Sequence, residues 1–499
     1  MARLASLPKI CIALGFSDAK TLLDHARREV ESGETFLEFR MDYLSDARTG
    51  PPAVAGFLEQ HPDCTILATC RRHQNHGRFN GSIEEQMAVL EAAIDAGARA
   101  VDVEIESAEV AQAAVEHLRS RSWVIVSFHN YGGTPQVEPI LRRMKKAPAD
   151  AYKVVTTAKK PSDNLRVLSL ARSSPRTPLI LLAMGEAGLA TRILSPAMGG
   201  VYTYAAPNAA EGTAPGQICA RLLRNMYRVD KFTKAARIYG VIADPVRHSI
   251  SPAVHNRAFQ SRRIDAVYLP FLVQQAQLKD FFALSDKLPL AGFSVTIPHK
   301  QKILRYLDTV DPLTRRIGAV NTVWRKAGKW RGANTDVDGV IEPLKKHLAF
   351  NKSSILIAGN GGAARGAAFA LADAGASISI VGRNIDRVRA LAKLCGAAPL
   401  SRDQAEKMDF DALVHCTPMG MYPHTDECFF RDRIPAGLVF DMVYNPRETQ
   451  LVQRALADGK TVVPGLSMFL EQAARQFEIW TGESPPRAAM ERAALEALS

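Results

Sequence analysis

Between residues 9 and 206 the chain repeats one unit eight times, a short β-type run followed by an amphipathic helical stretch. The strand candidates are 9–14, 35–41, 64–70, 100–105, 123–128, 151–157, 178–184 and 201–205. Between them lie segments such as 21–30 and 83–94, whose apolar residues recur at helical spacing. Eight such units in just over 200 residues fit a closed (β/α)8 barrel better than an open doubly wound sheet. A barrel strand is buried on both faces, so charge inside it is costly unless paired or functional. Glu38, Arg40 and Lys153 fall inside the second and sixth strands, and charge at the C-terminal ends of barrel strands reads as catalytic. A lysine in such a pocket has a lowered pKa and can form a Schiff base with a ketone. The iminium acidifies the adjacent C–H; His129 can take that proton and protonate a leaving hydroxyl.

A basic stretch, 230–237, precedes a new strand at 238–242, and a second α/β segment runs to about 345. Beyond 351–354 a third unit opens on Gly359-Asn360-Gly361-Gly362-Ala363-Ala364, between an apolar strand and a helical run. This is the G-x-G-x-x-A turn, whose glycines let backbone N–H groups approach a pyrophosphate at a helix N-terminus. The next strand, 377–381, ends in Gly382-Arg383-Asn384, with Arg387 close behind. An NAD site usually carries a carboxylate there for the ribose 2′-hydroxyl, whereas arginine suits a 2′-phosphate, so the sequence favours NADP(H). A solvated arginine pair is the bland alternative. Asp386, the nearest acid, lies past the strand end and reads as the start of a helix.

With 47% apolar and 23% charged residues the chain is of ordinary globular composition, which argues against disorder and fibrous repeats. No apolar run is long enough to span a bilayer, and the first residues resemble neither a signal nor a transit peptide. The seven cysteines are odd in number and scattered, the usage of a reducing compartment. A cytoplasmic protein is expected. The formal charge of +12 is spread in short pairs rather than a stripe, which suits small anionic substrates. Neither nucleic acid nor membrane is expected as a partner.

Residues 238–485 carry seven short motifs in one order. They are 239–252 with Ser249 and Ser251, 293–300 with Thr296 and Lys300, Gly318-Ala-Val-Asn321-Thr and Gly332-Ala-Asn334-Thr-Asp336. Then come Cys416-Thr417-Pro-Met419-Gly420, Asp441-Met-Val-Tyr444-Asn-Pro and 464–474 with Gly465, Met468 and Gln472. This set resembles shikimate dehydrogenase, implying NADPH-dependent reduction of 3-dehydroshikimate to shikimate. The resemblance puts Ser249 and Ser251 on the substrate carboxylate and Thr296, Asn321, Tyr444 and Gln472 on the ring hydroxyls. Lys300 and Asp336 then sit at the reacting carbonyl, where a positioned ammonium stabilises the growing oxyanion. Gly359, Gly361, Gly362, Ala363, Arg383, Asn384, Arg387, Thr417, Met419, Gly465 and Met468 fall to the cofactor. A quinate-preferring dehydrogenase is the alternative within this family.

Residues 9–217 resemble type I 3-dehydroquinate dehydratase. The motifs are 37–42 with Glu38 and Arg40, 68–71 with Arg71, 126–130 with His129 and 151–155 with Lys153. They continue with 184–192, bearing Met184 and Arg192, and 213–217, bearing Thr213 and Gln217. The resemblance implies a Lys153 Schiff base with His129 as acid and base. It puts Glu38, Arg40, Arg71, Arg192 and Gln217 on the carboxylate and hydroxyls, with Met184 and Thr213 completing the pocket. The implied whole is bifunctional: a barrel dehydratase over 1–231, a shikimate-binding domain over 237–345 plus 466–499, and a Rossmann NADP domain over 346–465. Hinge closure of the Rossmann unit over substrate is a further expectation.

Two positions depart from the dehydratase pattern. The glutamate usual four residues after the third-strand arginine is Asn75, which can hydrogen-bond His129 but brings no charge. Thr213 replaces a common serine and keeps the hydroxyl. Asn75 motivates a rival reading in which only the dehydrogenase is active and the barrel is a decayed binding module. Cys70-x-x-His73-x-x-His76 has chelating spacing but no fourth ligand nearby, so no metal is expected.

Overall fold

A computed structural model describes residues 7–208, 210–430 and 432–498. The ends of the outermost predicted domains, 1–6 and 499, lie outside the described residues. The chain divides into two compact units, Met1–Ala236 with Phe271–Leu288, and Arg237–Pro270 with Pro289–Ser499.

The first unit is built on eight parallel strands. These are β1 (Ile10–Leu14), β2 (Phe36–Arg40), β3 (Thr65–Thr69), β4 (Ala100–Glu104), β5 (Trp123–His129), β6 (Ala151–Thr157), β7 (Leu179–Met184) and β8 (Thr203–Ala205). They pair in the order β7-β6-β5-β4-β3-β2-β1-β8, close to the ranges read from the sequence. No ladder joins β7 to β8 among the described residues; that seam is held by the Val201 N–H donating to the Leu179 carbonyl at 2.8 Å. The intervening helices start where local chemistry caps them. Asp18 accepts from the Thr21 N–H ahead of helix Ala19–Glu31, and Ser82 and Glu85 close a reciprocal box on helix Ile83–Asp95.

Side chains alternate along each strand, so every second residue points into the barrel. The inward series runs Phe36-Glu38-Arg40 on β2, Leu67-Thr69-Arg71 on and just after β3, and Ala100-Asp102-Glu104 on β4. It continues as Ile125-Ser127-His129 on β5 and Ala151-Lys153-Val155 on β6. The N-terminal members pack with Cys11, Ile180, Tyr202 and Tyr204 into an apolar plug. The members nearer the C-terminal ends, Val155 apart, are polar or charged, and all of these but the half-buried His129 are buried. The barrel is therefore a filled core whose upper layer is ionic.

The second unit holds two sheets. One contains β9 (Arg237–Ala243), β10 (Ala266–Leu272), β11 (Leu290–Val295), β12 (Thr309–Val310), β13 (Thr322–Lys326) and β14 (Lys329–Ala333), in the order β10-β9-β11-β13-β14-β12. Its β13–β14 hairpin turns on Ala327 and Gly328, both at positive φ as a two-residue turn requires. The other contains β15 (Ser354–Ala358), β16 (Ser377–Val381), β17 (Ala398–Leu400), β18 (Phe410–His415), β19 (Ala436–Asp441) and β20 (Thr461–Val463). All are parallel, in the order β17-β16-β15-β18-β19-β20, a doubly wound sheet with its switch point between β15 and β18.

Helix Gly465–Thr481 leaves the second of these sheets and returns to the first. Gln476 donates to the Thr322 hydroxyl at 3.1 Å and Trp480 Nε1 to the Val323 carbonyl at 3.1 Å. The helix begins at a glycine because a Cβ on Gly465 would stand 2.3 Å from the Val443 carbonyl oxygen.

Candidate active sites

In the barrel, Lys153 stands where the inward series changes from apolar to charged. Its Nζ donates to Asp102 Oδ2 at 2.9 Å and to the Tyr204 hydroxyl at 3.0 Å, with Glu38 Oε1 at 3.7 Å. β2 and β4 bring the carboxylates of Glu38 and Asp102 into the same layer as the lysine. Asp102 Oδ1 also accepts from Arg71 at 3.1 Å and from Ser127 at 2.7 Å. Burial alone would raise the Asp102 carboxyl, but the Lys153 and Arg71 charges and these hydrogen bonds outweigh it and hold it at about 2. Glu38 accepts from Thr69 at 2.8 Å, and Arg40 forks onto Asp42 at 2.9 and 2.7 Å.

His129 lies half-buried at the end of β5. Its imidazole is pushed well below the ordinary range, first by burial and then by the Arg71, Lys153 and Arg40 charges. It is a neutral proton acceptor near pH 7. Asn75 does not hydrogen-bond it. The Asn75 amide donates instead to Glu104 Oε1 at 3.3 Å, a buried carboxylate that also accepts from Gln86, Ser107 and the Arg72 N–H. Two turns of chemistry thus meet at the loop after β3, because Glu104 ends β4 on the inward parity and offers the nearest acceptor.

Arg192 is 1% exposed, yet its guanidinium has no carboxylate partner among the described residues. It donates to the Pro215 carbonyl at 3.3 Å, its Nε is unpaired, and burial pulls it down to about 10. A buried cation without a counter-ion is costly, so this one is arranged to meet an anion from outside. The Pro215 carbonyl also accepts from the Gly185 N–H, just past Met184 at the end of β7. Gln217 Oε1 accepts from the Thr213 N–H at 2.7 Å and the Ala214 N–H at 3.2 Å, which folds the 213–217 loop onto itself beside Arg192. Cys70 is buried with its thiol pushed up by burial, and His76 turns its ring against Tyr131 at 4.2 Å. Among the described residues no three His, Cys, Asp or Glu side chains gather as metal ligands.

In the second unit, Lys300 follows the turn after β11 and donates to Asp336 Oδ2 at 2.5 Å. Asp336 is buried at the start of helix Asp336–Leu344, where the helix dipole favours a carboxylate. Its Oδ1 accepts from Asn321 Nδ2 at 2.7 Å, and Asn321 is itself held by the Thr335 N–H at 2.7 Å. Gln472 Oε1 stands 3.5 Å from the same Asn321 nitrogen. Tyr444 packs on Phe469 at 5.0 Å between centroids, its phenol pushed up to about 12 by burial. Ser249 Oγ accepts from the Ser251 N–H at 3.3 Å, and the Thr296 N–H donates to Ile242 at the end of β9. No hydrogen bond among the described residues ties Ser249, Ser251, Thr296 or Tyr444 to the Lys300–Asp336 pair.

The stem of Lys300 runs beside the nucleotide turn, 3.4 Å from where a Cβ on Gly362 would lie. Gly359 is at φ +130 and closes on the Cys416 carbonyl, while a Cβ on Gly361 would meet nothing within 4 Å. Helix Gly362–Asp373 begins there with no side chain capping it, with Ala363 in its first turn. Open floor, small residues and free N–H groups fit a pyrophosphate. Beyond β16, Arg383 and Arg387 are exposed and have no ion-pair partner among the described residues, Asn384 caps helix Ile385–Cys395 by accepting from the Arg387 N–H, and Asp386 faces Arg389. That strand end therefore fits a 2′-phosphate rather than a free ribose. Thr417 and half-buried Met419 lie just past β18, at the switch point, and the Met468 carbonyl closes on Gly339 of helix Asp336–Leu344.

Several residues in these clusters were not singled out from the sequence: Asp102, Thr69, Ser127, Tyr204 and Glu104 in the barrel, and Thr335, His415 and Asp441 beyond it. Asp102 and Glu104 carry the same signal as Glu38 and Arg40, charge on alternate positions of a buried strand. The others are polar residues whose partners are distant in sequence, and no local pattern marks them.

The family described as type I 3-dehydroquinase matches residues 10–234, the shikimate dehydrogenase substrate binding domain matches 241–323, and the shikimate 5′-dehydrogenase C-terminal domain matches 465–495. The bifunctional 3-dehydroquinate dehydratase/shikimate dehydrogenase, chloroplastic, of Arabidopsis thaliana is 33% identical over 96% of this chain and 83% of its own. The shikimate biosynthesis protein AroDE of Chlamydia pneumoniae is 32% identical over 76% of this chain and 78% of its own. Among solved structures, the shikimate dehydrogenase of Thermus thermophilus in complex with NADP(H) and shikimate is 34% identical, with a TM-score of 0.50, covering 53% of this chain and 100% of its own.

The Asp102 carboxyl, held at about 2 against an ordinary 3.8, contributes stability that is present above about pH 4 and lost as pH falls through about 2. Asp102→Asn is expected to destabilise the barrel by about 3–5 kcal/mol, since it strands Lys153 and Arg71, and to flatten its acid unfolding between those limits. Denaturant titrations at several pH values measure both.

Proposed function

The chain belongs to the family of bifunctional 3-dehydroquinate dehydratase/shikimate dehydrogenases, and from that membership we propose which residues perform each of its two reactions. It dehydrates 3-dehydroquinate to 3-dehydroshikimate and, with NADPH, reduces that product to shikimate. The observation that carries the residue assignment is the pair of buried clusters, Lys153 with Asp102 and Glu38, and Lys300 with Asp336 beside the glycine turn.

In the barrel, Arg192 receives the substrate carboxylate, which supplies the counter-charge it lacks. Lys153 passes a proton to the neutral His129 imidazole, its amine adds to the ketone, and that proton returns to the former ketone oxygen, which leaves as water to give an iminium. The iminium draws electrons from the adjacent C–H, whose proton passes to the neutral His129 imidazole. The resulting enamine expels the hydroxyl as His129 returns the proton, and hydrolysis restores Lys153. Asp102, ionised throughout, compensates the positive charge on nitrogen. Glu38, Arg40, Arg71, Met184, Thr213 and Gln217 position the ring. Asn75, bonded to Glu104, lies off this path, which supports an active barrel rather than a decayed one.

In the second unit, Ser249 and Ser251 take the carboxylate, and Thr296, Asn321, Tyr444 and Gln472 the hydroxyls. NADPH, when bound, supplies the hydride. Lys300, oriented by Asp336, faces the carbonyl oxygen and donates the proton that converts it to a hydroxyl. Gly359, Gly361, Gly362 and Ala363 cradle the pyrophosphate, and Arg383 and Arg387, near Asn384, hold the 2′-phosphate. Met419, Gly465 and Met468 line the nicotinamide end. The family matches support a dehydratase over 1–231 and a substrate domain over 237–345 plus 466–499, and the doubly wound sheet of β15 to β20 supports a nucleotide domain over 346–465. No helix among the described residues is long and apolar enough to cross a membrane, and the seven unpaired thiols support a reducing, cytoplasmic setting.

Borohydride added with 3-dehydroquinate should leave adduct mass on Lys153, absent in Lys153→Ala; unmodified wild-type Lys153 would sink the assignment. Because His129 is pushed down, the acid limb of dehydratase kcat/KM should fall below pH 6.5, and a limb at or above 6.5 would show another group acting as base. Arg383→Ala and Arg387→Ala should each raise the KM for NADPH by roughly tenfold while leaving NADH unchanged. Equal losses with both nucleotides would mean that neither arginine meets the 2′-phosphate.

A further inference from the structure

At the switch point of the nucleotide sheet a polarised chain of hydrogen bonds ends on Thr417 and the Met419 N–H, in the loop just past β18. His415, 1% exposed, is the last residue of β18. Its Nδ1 lies 2.8 Å from Asp441 Oδ1 and its Nε2 2.5 Å from the Thr417 hydroxyl. Asp441, the last residue of β19, is fully buried and also accepts from the Val443 N–H at 3.0 Å and the Thr449 hydroxyl at 2.5 Å. Thr449 in turn accepts from the Val452 N–H at 3.2 Å, capping helix Gln450–Ala457. Thr417 accepts from the Met419 N–H at 3.3 Å.

With a neutral imidazole each group has one consistent role: the Asp441 carboxylate can only accept, so His415 carries its proton on Nδ1 and Nε2 is the acceptor. The Thr417 hydroxyl spends its proton on Nε2 and its lone pair on the Met419 N–H. It therefore has no hydrogen left to donate to a cofactor. What it fixes is the backbone of 417–420, directly after the strand that closes on Gly359.

We propose that His415 and Asp441 are positioning residues for the dehydrogenase, acting through Thr417 to hold the 417–420 loop against the nicotinamide end of NADPH. Thr417 serves as the coupling element between them and the loop rather than as a cofactor donor. The inference rests on the nucleotide-site reading above. Nothing in the reaction itself is routed through His415, which neither gains nor loses a proton.

The two halves of the imidazole can be separated by substitution. In His415→Asn the amide can take the place of Nδ1 and keep Asp441 satisfied but falls short of Thr417. In His415→Gln the longer side chain can reach Thr417. Nicotinamide fluorescence and steady-state kinetics would be measured on the full chain, with 3-dehydroquinate turnover as an internal control for folding. His415→Phe is expected to weaken NADPH binding by about five- to tenfold, the loss of one buried hydrogen-bonded link, with the KM for shikimate unchanged. His415→Gln should recover more of that loss than His415→Asn.

Independently of activity, 15N-histidine spectra of the cofactor-free chain should show one imidazole with protonated Nδ1 and bare Nε2, identified by its disappearance in His415→Asn and perturbed in Asp441→Asn. NADPH affinity unchanged in His415→Phe, or the opposite tautomer in the spectra, would overturn the proposal. A wild-type chain that fails to oxidise NADPH with 3-dehydroshikimate would instead count against the nucleotide-site reading, leaving the tautomer result to stand or fall by itself.

Discussion

Burying a lysine in the middle of a closed barrel costs several kcal/mol unless the same layer supplies its counter-charge. The chain meets this with Asp102 on β4, which shares a level with Lys153 on β6 and is held in turn by Arg71 and Ser127. The rest of the barrel mouth is organised around that contact. Glu38 approaches the lysine to 3.7 Å, Arg40 is taken out of the competition by Asp42, and Arg192 donates to the Pro215 carbonyl with its Nε unpaired. Beside the loop that carries Gln217, the Arg192 guanidinium is thus a buried cation that no carboxylate meets among the described residues, although the buried charges of the barrel mouth balance in number.

Most of the barrel was legible because a (β/α)8 fold writes itself as a period. Eight runs of similar length allowed each strand to be placed within a residue or two of its observed ends. The functional layer was half legible by the same logic. Glu38, Arg40 and Lys153 break the apolar pattern of buried strands and stand out; Asp102 breaks it equally, on the inward parity of Ala100-Val-Asp-Val-Glu104. It was passed over because its partner comes from a strand two positions away in the sheet, which parity alone does not reveal. The missing ladder between β7 and β8 was also invisible, since a shortened last strand looks like any other in sequence.

Beyond residue 236 the sequence spoke mainly through glycines and motif order. Gly359 and Gly465 are places where backbones approach too closely for a side chain, so their spacing marks the turn and the returning helix. Arg383 stands out at a strand end because the doubly wound sheet gives that position one geometric meaning. The expected contact of Asn75 with His129 failed for the opposite reason. A short amide in a loop bonds to whichever acceptor the fold presents, and here Glu104 is the nearer one.

Helix Gly465–Thr481 begins against Val443 beneath the nucleotide sheet and ends with Trp480 hydrogen-bonded to β13 of the substrate sheet. At 1.5 Å per residue its seventeen residues make a rod about 25 Å long. Two segments of chain pass between the sheets, the stretch from Ala333 to Ser354 and the join at Pro464. The rod is held to the substrate sheet at its far end and packs against the end of β19 of the nucleotide sheet at its near end, so one continuous helix spans both sheets alongside the two crossing segments.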